Sequence, residues 1–278
     1  MRYQLGLYEK SMPDNLSIAE KLSAAVEAGY DYLELSIDES DAKLARLDWS
    51  KELKGELLLS MHGQGTEIKS ICLSGHRRFP LGSLDAGTRE KSLGIMSKAV
   101  KLASELGVKI IQLAGYDVYY EQSGSETREY FYENLSKSVE FAAREGVILA
   151  FETMETEFMD TVSKAMYWVD KINSPYLQIY PDIGNLKNAS LIYNTDPAED
   201  FRLGAGHIAA VHLKETAPGK YREMDYGTGH VDFSLMAKEA FDIGVRLFVG
   251  EFWYVGDENW KEILRQNNLF LRAALDGI

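Results

Sequence analysis

Eight short apolar runs alternate along the chain with longer amphipathic stretches. The runs fall at residues 4–8, 32–37, 67–73, 109–114, 147–152, 177–182, 208–213 and 245–251. Most are rich in Ile, Leu and Val, the composition of strands buried on both faces of a parallel sheet. The intervening stretches, at 16–28, 49–62, 89–106, 126–144, 161–172, 197–204, 233–241 and 258–275, carry apolar residues at helical spacing. Ile18, Leu22, Ala25 and Val26, for example, share one stripe of a helix. Gly29, Gly107, Gly146 and Gly244 each precede a strand closely, as helix-stopping glycines do.

Strict alternation of strand and helix predicts a parallel sheet. An open, doubly wound sheet usually carries a glycine-rich phosphate turn after its first strand. Here that turn reads Tyr8-Glu-Lys-Ser-Met-Pro-Asp14 and holds no glycine. Eight strand–helix units in 278 residues fit a closed α/β architecture instead, a (β/α)8 TIM barrel forming a single domain over 1–278.

Composition adds limits rather than detail. The chain is 45% hydrophobic and 26% charged, as globular domains are, with a formal net charge of −13. That acidity argues against nucleic acid and against anionic membrane surfaces as partners. Cys72 is the only cysteine and lies in an apolar run, so a buried thiol and a reducing compartment are expected. The N-terminus shows no long apolar segment and no stretch of 18 apolar residues occurs anywhere, so a cytoplasmic location is expected.

In a (β/α)8 barrel the chemistry sits at the C-terminal ends of the strands. Runs five to eight end in Leu149-Ala-Phe-Glu152, Ile179-Tyr-Pro-Asp182, Ala210-Val-His212 and Val249-Gly-Glu251. Four consecutive strands thus finish in a residue able to ligate a metal. Three carboxylates in one pocket would repel one another and take up protons, and a divalent cation resolves that conflict. Oxygen ligands with one imidazole suit zinc, manganese, cobalt or magnesium, and zinc or manganese is the foremost expectation.

With these residues in place, the sequence resembles the L-ribulose-5-phosphate 3-epimerase family of the xylose isomerase-like barrels. The matching stretches include Leu5-Gly-Leu-Tyr-Glu-Lys10, Arg46-Leu-Asp-Trp49, Cys72-Leu-Ser-Gly-His-Arg-Arg-Phe-Pro-Leu-Gly-Ser83, Ile111-Gln-Leu-Ala-Gly-Tyr-Asp-Val-Tyr-Tyr120, Tyr180-Pro-Asp-Ile-Gly-Asn185 and Gly206-His-Ile-Ala-Ala-Val-His-Leu-Lys214. The resemblance implies an isomerase, a 3-epimerase of pentulose 5-phosphates in L-ascorbate breakdown, and a homodimer. It implies that Glu152, Asp182, His212 and Glu251 hold the metal. Related epimerases of free sugars carry a histidine where this chain has Asn185, and an acidic substrate contact for which Glu155 is the nearest candidate.

Epimerisation at C3 of a 2-ketose needs a Lewis acid at the carbonyl and an acid/base group on each face of C3. Glu152 and Glu251 are the candidates for the proton transfers. For the phosphate, the candidates are His76, Arg77 and Arg78 after strand three, and Lys214 and Lys220 after strand seven. The turn Gly227-Thr-Gly229 could offer backbone N–H groups to an anion. An aldose–ketose isomerase using the same cluster is the rival enzyme reading. A metal-dependent nuclease of the apurinic-site class is a further one, weakened by the five histidines and the acidic charge.

Overall fold

The computed structural model describes residues 2–278. Eight parallel strands form one sheet: β1 (Gln4–Tyr8), β2 (Tyr32–Ile37), β3 (Glu67–Leu73), β4 (Ile110–Ala114), β5 (Ile148–Glu152), β6 (Leu177–Tyr180), β7 (Val211–Leu213) and β8 (Leu247–Gly250). Their order is β6-β5-β4-β3-β2-β1-β8-β7. The sheet closes on itself where single bridges join Ile179 to Ile208 and Asp182 to His212. Pro181 explains why this seam is bridged rather than laddered. It has no N–H to donate, so β6 stops at Tyr180, although the Pro181 carbonyl still accepts from His212 N at 2.9 Å.

Among the described residues, ten α-helices surround the strands: α1 (Ile18–Glu27), α2 (Asp41–Leu44), α3 (Lys51–Gln64), α4 (Ala86–Leu106), α5 (Ser125–Glu145), α6 (Val162–Ile172), α7 (Ile183–Tyr193), α8 (Pro197–Arg202), α9 (Phe233–Asp242) and α10 (Trp260–Asp276). Polar caps start several of them. Ser17 and Glu20 form a reciprocal capping box on α1, and Asp182 caps α7. The four expected stop glycines all adopt positive φ. Two helices go beyond the sequence expectation: the single-turn α2 and the full helix α7. No helix among the described residues is long and apolar enough to cross a membrane.

Strand alternation builds two cores. Leu33, Leu35 and Ile37 point outward into the layer between barrel and helices. Tyr32 points inward, packed with Tyr8, Cys72, Ile110, Ala150, Tyr180, Ala210 and Val249. The Tyr32 ring fits because Gly6 faces it; a β-carbon at Gly6 would lie 2.3 Å from the ring. Cys72 is buried in this interior cluster, as expected.

Two of the resembling stretches meet just beyond β1. Glu9, fully buried, accepts from Lys21 at 3.1 Å, Lys43 at 2.5 Å, Arg46 at 2.5 and 2.8 Å, and the Ser36 amide at 2.8 Å. Burial opposes ionisation of Glu9, but the Arg46 guanidinium and the two ammoniums outweigh it and hold the carboxyl well below the usual range. This cluster ties the loops after β1 and β2 to α1 and α2, and so fixes one side of the barrel mouth.

Candidate metal centre

The four strand-end residues converge. One ligand atom from each of Glu152, Asp182, His212 and Glu251 lies within 4.8 Å of every other, and all four residues are buried. Glu152 ends β5, Asp182 follows β6, His212 is central in β7 and Glu251 follows β8. His212 Nδ1 faces Glu152 Oε1 at 3.3 Å and Glu251 Oε2 at 3.5 Å. Asp182 uses one oxygen, Oδ1, to cap α7 through Asn185 N at 2.8 Å. Its other oxygen, Oδ2, turns to the cluster, so one side chain both caps the helix and faces the other three residues.

The shared pocket shifts the carboxyls in opposite directions. Burial raises the Glu152 carboxyl, and the Glu251 charge adds to the rise. Burial likewise raises Asp182; Lys214 opposes it, but Glu251 and Glu152 leave it at about 8. Glu251 alone is held low: burial opposes its ionisation, and Lys214 and His212 overcome that. Two of three carboxyls are thus pushed toward their protonated forms, by burial first and by shared negative charge second. Asp182 Oδ2 and Glu251 Oε2 are buried and accept no hydrogen bond of proper geometry, although Lys214 Nζ lies 2.8 and 3.4 Å from them. Unsatisfied carboxylate oxygens facing one point, with an imidazole nitrogen beside them, fit a divalent cation.

A rim of side chains continues from this cluster. Lys214, only 4% exposed, lies 6.0 Å from the Trp253 ring, and Arg222 lies 5.8 Å from the same ring. Arg222 pairs with Glu155 Oε1 at 3.2 Å, Tyr119 donates to the same oxygen at 3.4 Å, and the Arg77 guanidinium stands 4.6 Å over the Tyr119 ring. Arg77, Glu155 and Lys214, proposed from sequence, therefore belong to one connected rim. Arg222 belongs to it too and carried no signal in the sequence.

Other candidates sit elsewhere. His76 is turned into the packing of α4; its Nε2 donates to the Ser92 carbonyl at 3.2 Å, and it is 5% exposed. Burial lowers its pKa to about 4, so the ring is neutral and presents no cation to a phosphate. Arg78 is exposed and pairs with Asp41 at 2.9 Å. Lys220 is exposed on the turn it closes with Ala217. The Gly227-Thr228-Gly229 turn does not face outward as an anion cradle. The buried Glu215 carboxylate accepts from Gly227 N, Val231 N and Thr216 N, and so occupies that role internally. Asn185 is buried and donates from Nδ2 to the Thr153 carbonyl at 2.7 Å, leaving Oδ1 unpartnered.

The sequence profile of the xylose isomerase-like TIM barrel family matches residues 22–274. The chain belongs to this family. L-ribulose-5-phosphate 3-epimerase UlaE of Salmonella paratyphi A is 45% identical over 229 residues, which cover 82% of this chain and 79% of that protein. The protein of the same name from Salmonella enteritidis PT4 matches to the same extent. Among solved structures, an L-ribulose 3-epimerase superposes with a TM-score of 0.79 at 19% identity, covering 99% of this chain and 95% of that one. A D-allulose 3-epimerase from Methylomonas sp., in complex with D-allulose, gives 0.79 at 17% identity, covering 98% and 97%. At such identities these structures speak to the fold alone, and they agree on the barrel.

Two residues around the ligand set were missed from sequence. Glu34 on β2 lies 2.7 Å from His212 Nε2, and Gln112 on β4 donates to Glu152 Oε2. Each is a polar residue inside a mostly apolar run, and that interruption was the available signal.

Proposed function

We propose that this protein is a divalent-metal-dependent 3-epimerase that interconverts L-xylulose 5-phosphate and L-ribulose 5-phosphate. The observation that carries the reading is the convergence of three carboxylates and one His212 ring nitrogen within 4.8 Å at the barrel mouth. The relatives of 45% identity, named for this epimerisation, support it.

Glu152, Asp182, His212 and Glu251 hold the ion, with zinc or manganese best suited to the donor set. When bound, the ion supplies Lewis-acid stabilisation of the negative charge that develops beside the reacting carbon. Glu152 and Glu251 move the proton: one takes it from C3 on one face of the sugar, and the other delivers a proton to the opposite face. Gln112 and His212 fix the two glutamates in orientation. Lys214, which already neutralises Asp182 and Glu251, offers its ammonium to the sugar oxygens. Arg77, half-buried and with Nε unpartnered, is the best-placed cation for the phosphate, and Glu155 contacts the sugar hydroxyls. Asn185 positions the start of α7 rather than the sugar.

The test is turnover of L-xylulose 5-phosphate in D2O by purified protein, stripped with a chelator and reloaded with single metals. Deuterium at C3 with formation of L-ribulose 5-phosphate is expected, abolished by stripping and restored by Mn²⁺ or Zn²⁺. Formation of an aldose phosphate instead would mean transfer between C1 and C2, and an isomerase.

A further inference from the structure

We propose that Glu34 is a positioning residue that presents the Nδ1 lone pair of His212 to the ion. The proposal rests on the metal-centre reading above and extends it one layer deeper into the barrel.

A neutral imidazole has one N–H and one lone pair, and whichever nitrogen donates elsewhere decides which one can ligate. Glu34 Oε1 lies 2.7 Å from His212 Nε2, on the side of the ring away from Glu152 and Glu251. A carboxylate accepts here, so Nε2 keeps its proton, and Nδ1, which faces Glu152 and Glu251, is the nitrogen that an ion would take in place of a proton. Glu34 is itself held rigidly. Its second oxygen accepts from Ser70 Oγ at 2.6 Å and from Tyr180 OH at 2.9 Å. The Tyr180 ring also packs edge-on against the imidazole at 4.9 Å, which limits ring rotation.

Glu34 is fully buried, and a carboxylate inside a barrel is costly unless something uses it. It reaches His212 across the interior, since β2 and β7 are separated in the sheet by β1 and β8. Local strand pairing does not require that contact. A carboxylate behind a ligating imidazole fixes its tautomer and angle and raises its basicity, and loss of such a partner costs roughly 10–100-fold in metal affinity.

The experiment is calorimetric titration of Mn²⁺ into chelator-stripped parent, Glu34→Gln, Ser70→Ala and Tyr180→Phe, with thermal unfolding of each stripped protein recorded alongside. Glu34→Gln is expected to bind Mn²⁺ on the order of 10–100-fold more weakly. The two hydroxyl variants are expected to bind a few-fold more weakly, by loosening Glu34 without removing its charge. Should Glu34→Gln not fold, those two variants and the parent carry the test. In the Zn²⁺-loaded parent, ¹⁵N spectra of His212 should show a proton on Nε2 and none on Nδ1. Unchanged Mn²⁺ affinity in every folded variant, or a proton on Nδ1, overturns the proposal. A parent that binds no divalent ion overturns the metal-centre reading instead, so the two failures are distinct.

Discussion

Glu152 and Glu251 reach His212 Nδ1 at 3.3 and 3.5 Å from two different strand ends, and Gln112 holds the second oxygen of Glu152. Replacing either by Gln keeps the size and removes the base. Glu152→Gln or Glu251→Gln should retain the parent circular dichroism and lower kcat about 10²–10⁴-fold. Exchange of the C3 hydrogen should be lost; if exchange persists at the parent rate, that glutamate has no part in the proton transfer. These two glutamates were legible as site candidates because each ends a run of strand character, where barrel geometry assembles chemistry. Glu34 and Gln112 were not, because periodicity reports which face is buried but not which inward side chains touch across the barrel. His76 shows the reverse error: its position after β3 suggested an anion contact, and the structure buries it neutral. That burial has a pH signature. The folded pKa, about 4, lies below the unfolded value near 6.5, so below pH 6.5 the unfolded chain takes up a proton that the folded one refuses. Stability from this group is complete above pH 6.5 and is lost as pH falls toward 4, by on the order of 2 kcal/mol between pH 7 and 5. Urea unfolding at both pH values should show a smaller loss for His76→Gln than for the parent, and equal losses would contradict the assignment.

At the level of elements, α7 matters most to the site because its first turn carries Asp182 as cap. The helix packs tightly there: a β-carbon on Gly184 would lie 2.7 Å from the Lys214 carbonyl and 2.7 Å from Thr216 Cγ2. Gly184→Ala must therefore push α7 from the segment after β7, separating Asp182 from Lys214. The expected cost is about 1–3 kcal/mol of stability, with metal affinity reduced as well. Gly94, within α4, has open space where a β-carbon would go, so Gly94→Ala should be stabilising by about 0.5–1 kcal/mol and leave metal binding alone. Denaturant unfolding and metal titration of the pair separate displacement of the helix from a generic effect of adding a methyl. The same helix was invisible in the sequence for a physical reason. Gly184, Asn185, Asn188 and Ser190 are weak helix formers, and the buried residues from Ile183 to Ser190 leave no polar stripe to mark a period. The strands, by contrast, were legible almost to the residue in β1, β2 and β3, where apolar content and length agree. The expected sixth run overshot because Pro181 ends the ladder, and the seventh began too early because only a bridge supports Ile208.

For the whole molecule, the weakest join of the barrel coincides with the proposed metal centre. The β2–β3 ladder runs continuously from Tyr32 opposite Glu67 to Ile37 opposite Leu73, apart from one shift after Leu33. The β6–β7 seam has two bridges, and one of them pairs Asp182 with His212, two of the proposed ligands. An ion held by both residues spans the seam from side to side, and with Glu152 and Glu251 it links β5 through β8. Opening the seam would then require releasing the ion, whereas opening elsewhere would not. At a free metal concentration of about 100 Kd, binding adds about 2.7 kcal/mol to any opening that destroys the site, which corresponds to about 100-fold slower amide exchange. The amides to follow are Ile179, Ala209 and His212, which bond across the seam to His207, Ile179 and Pro181. Their exchange should slow steeply when Mn²⁺ or Zn²⁺ is added to stripped protein, while the amides of Leu33 to Ile37 change only as far as global unfolding contributes. Equal slowing around the whole barrel would mean that the ion stabilises the fold only as a unit. No slowing at the seam would mean that Asp182 and His212 do not share an ion.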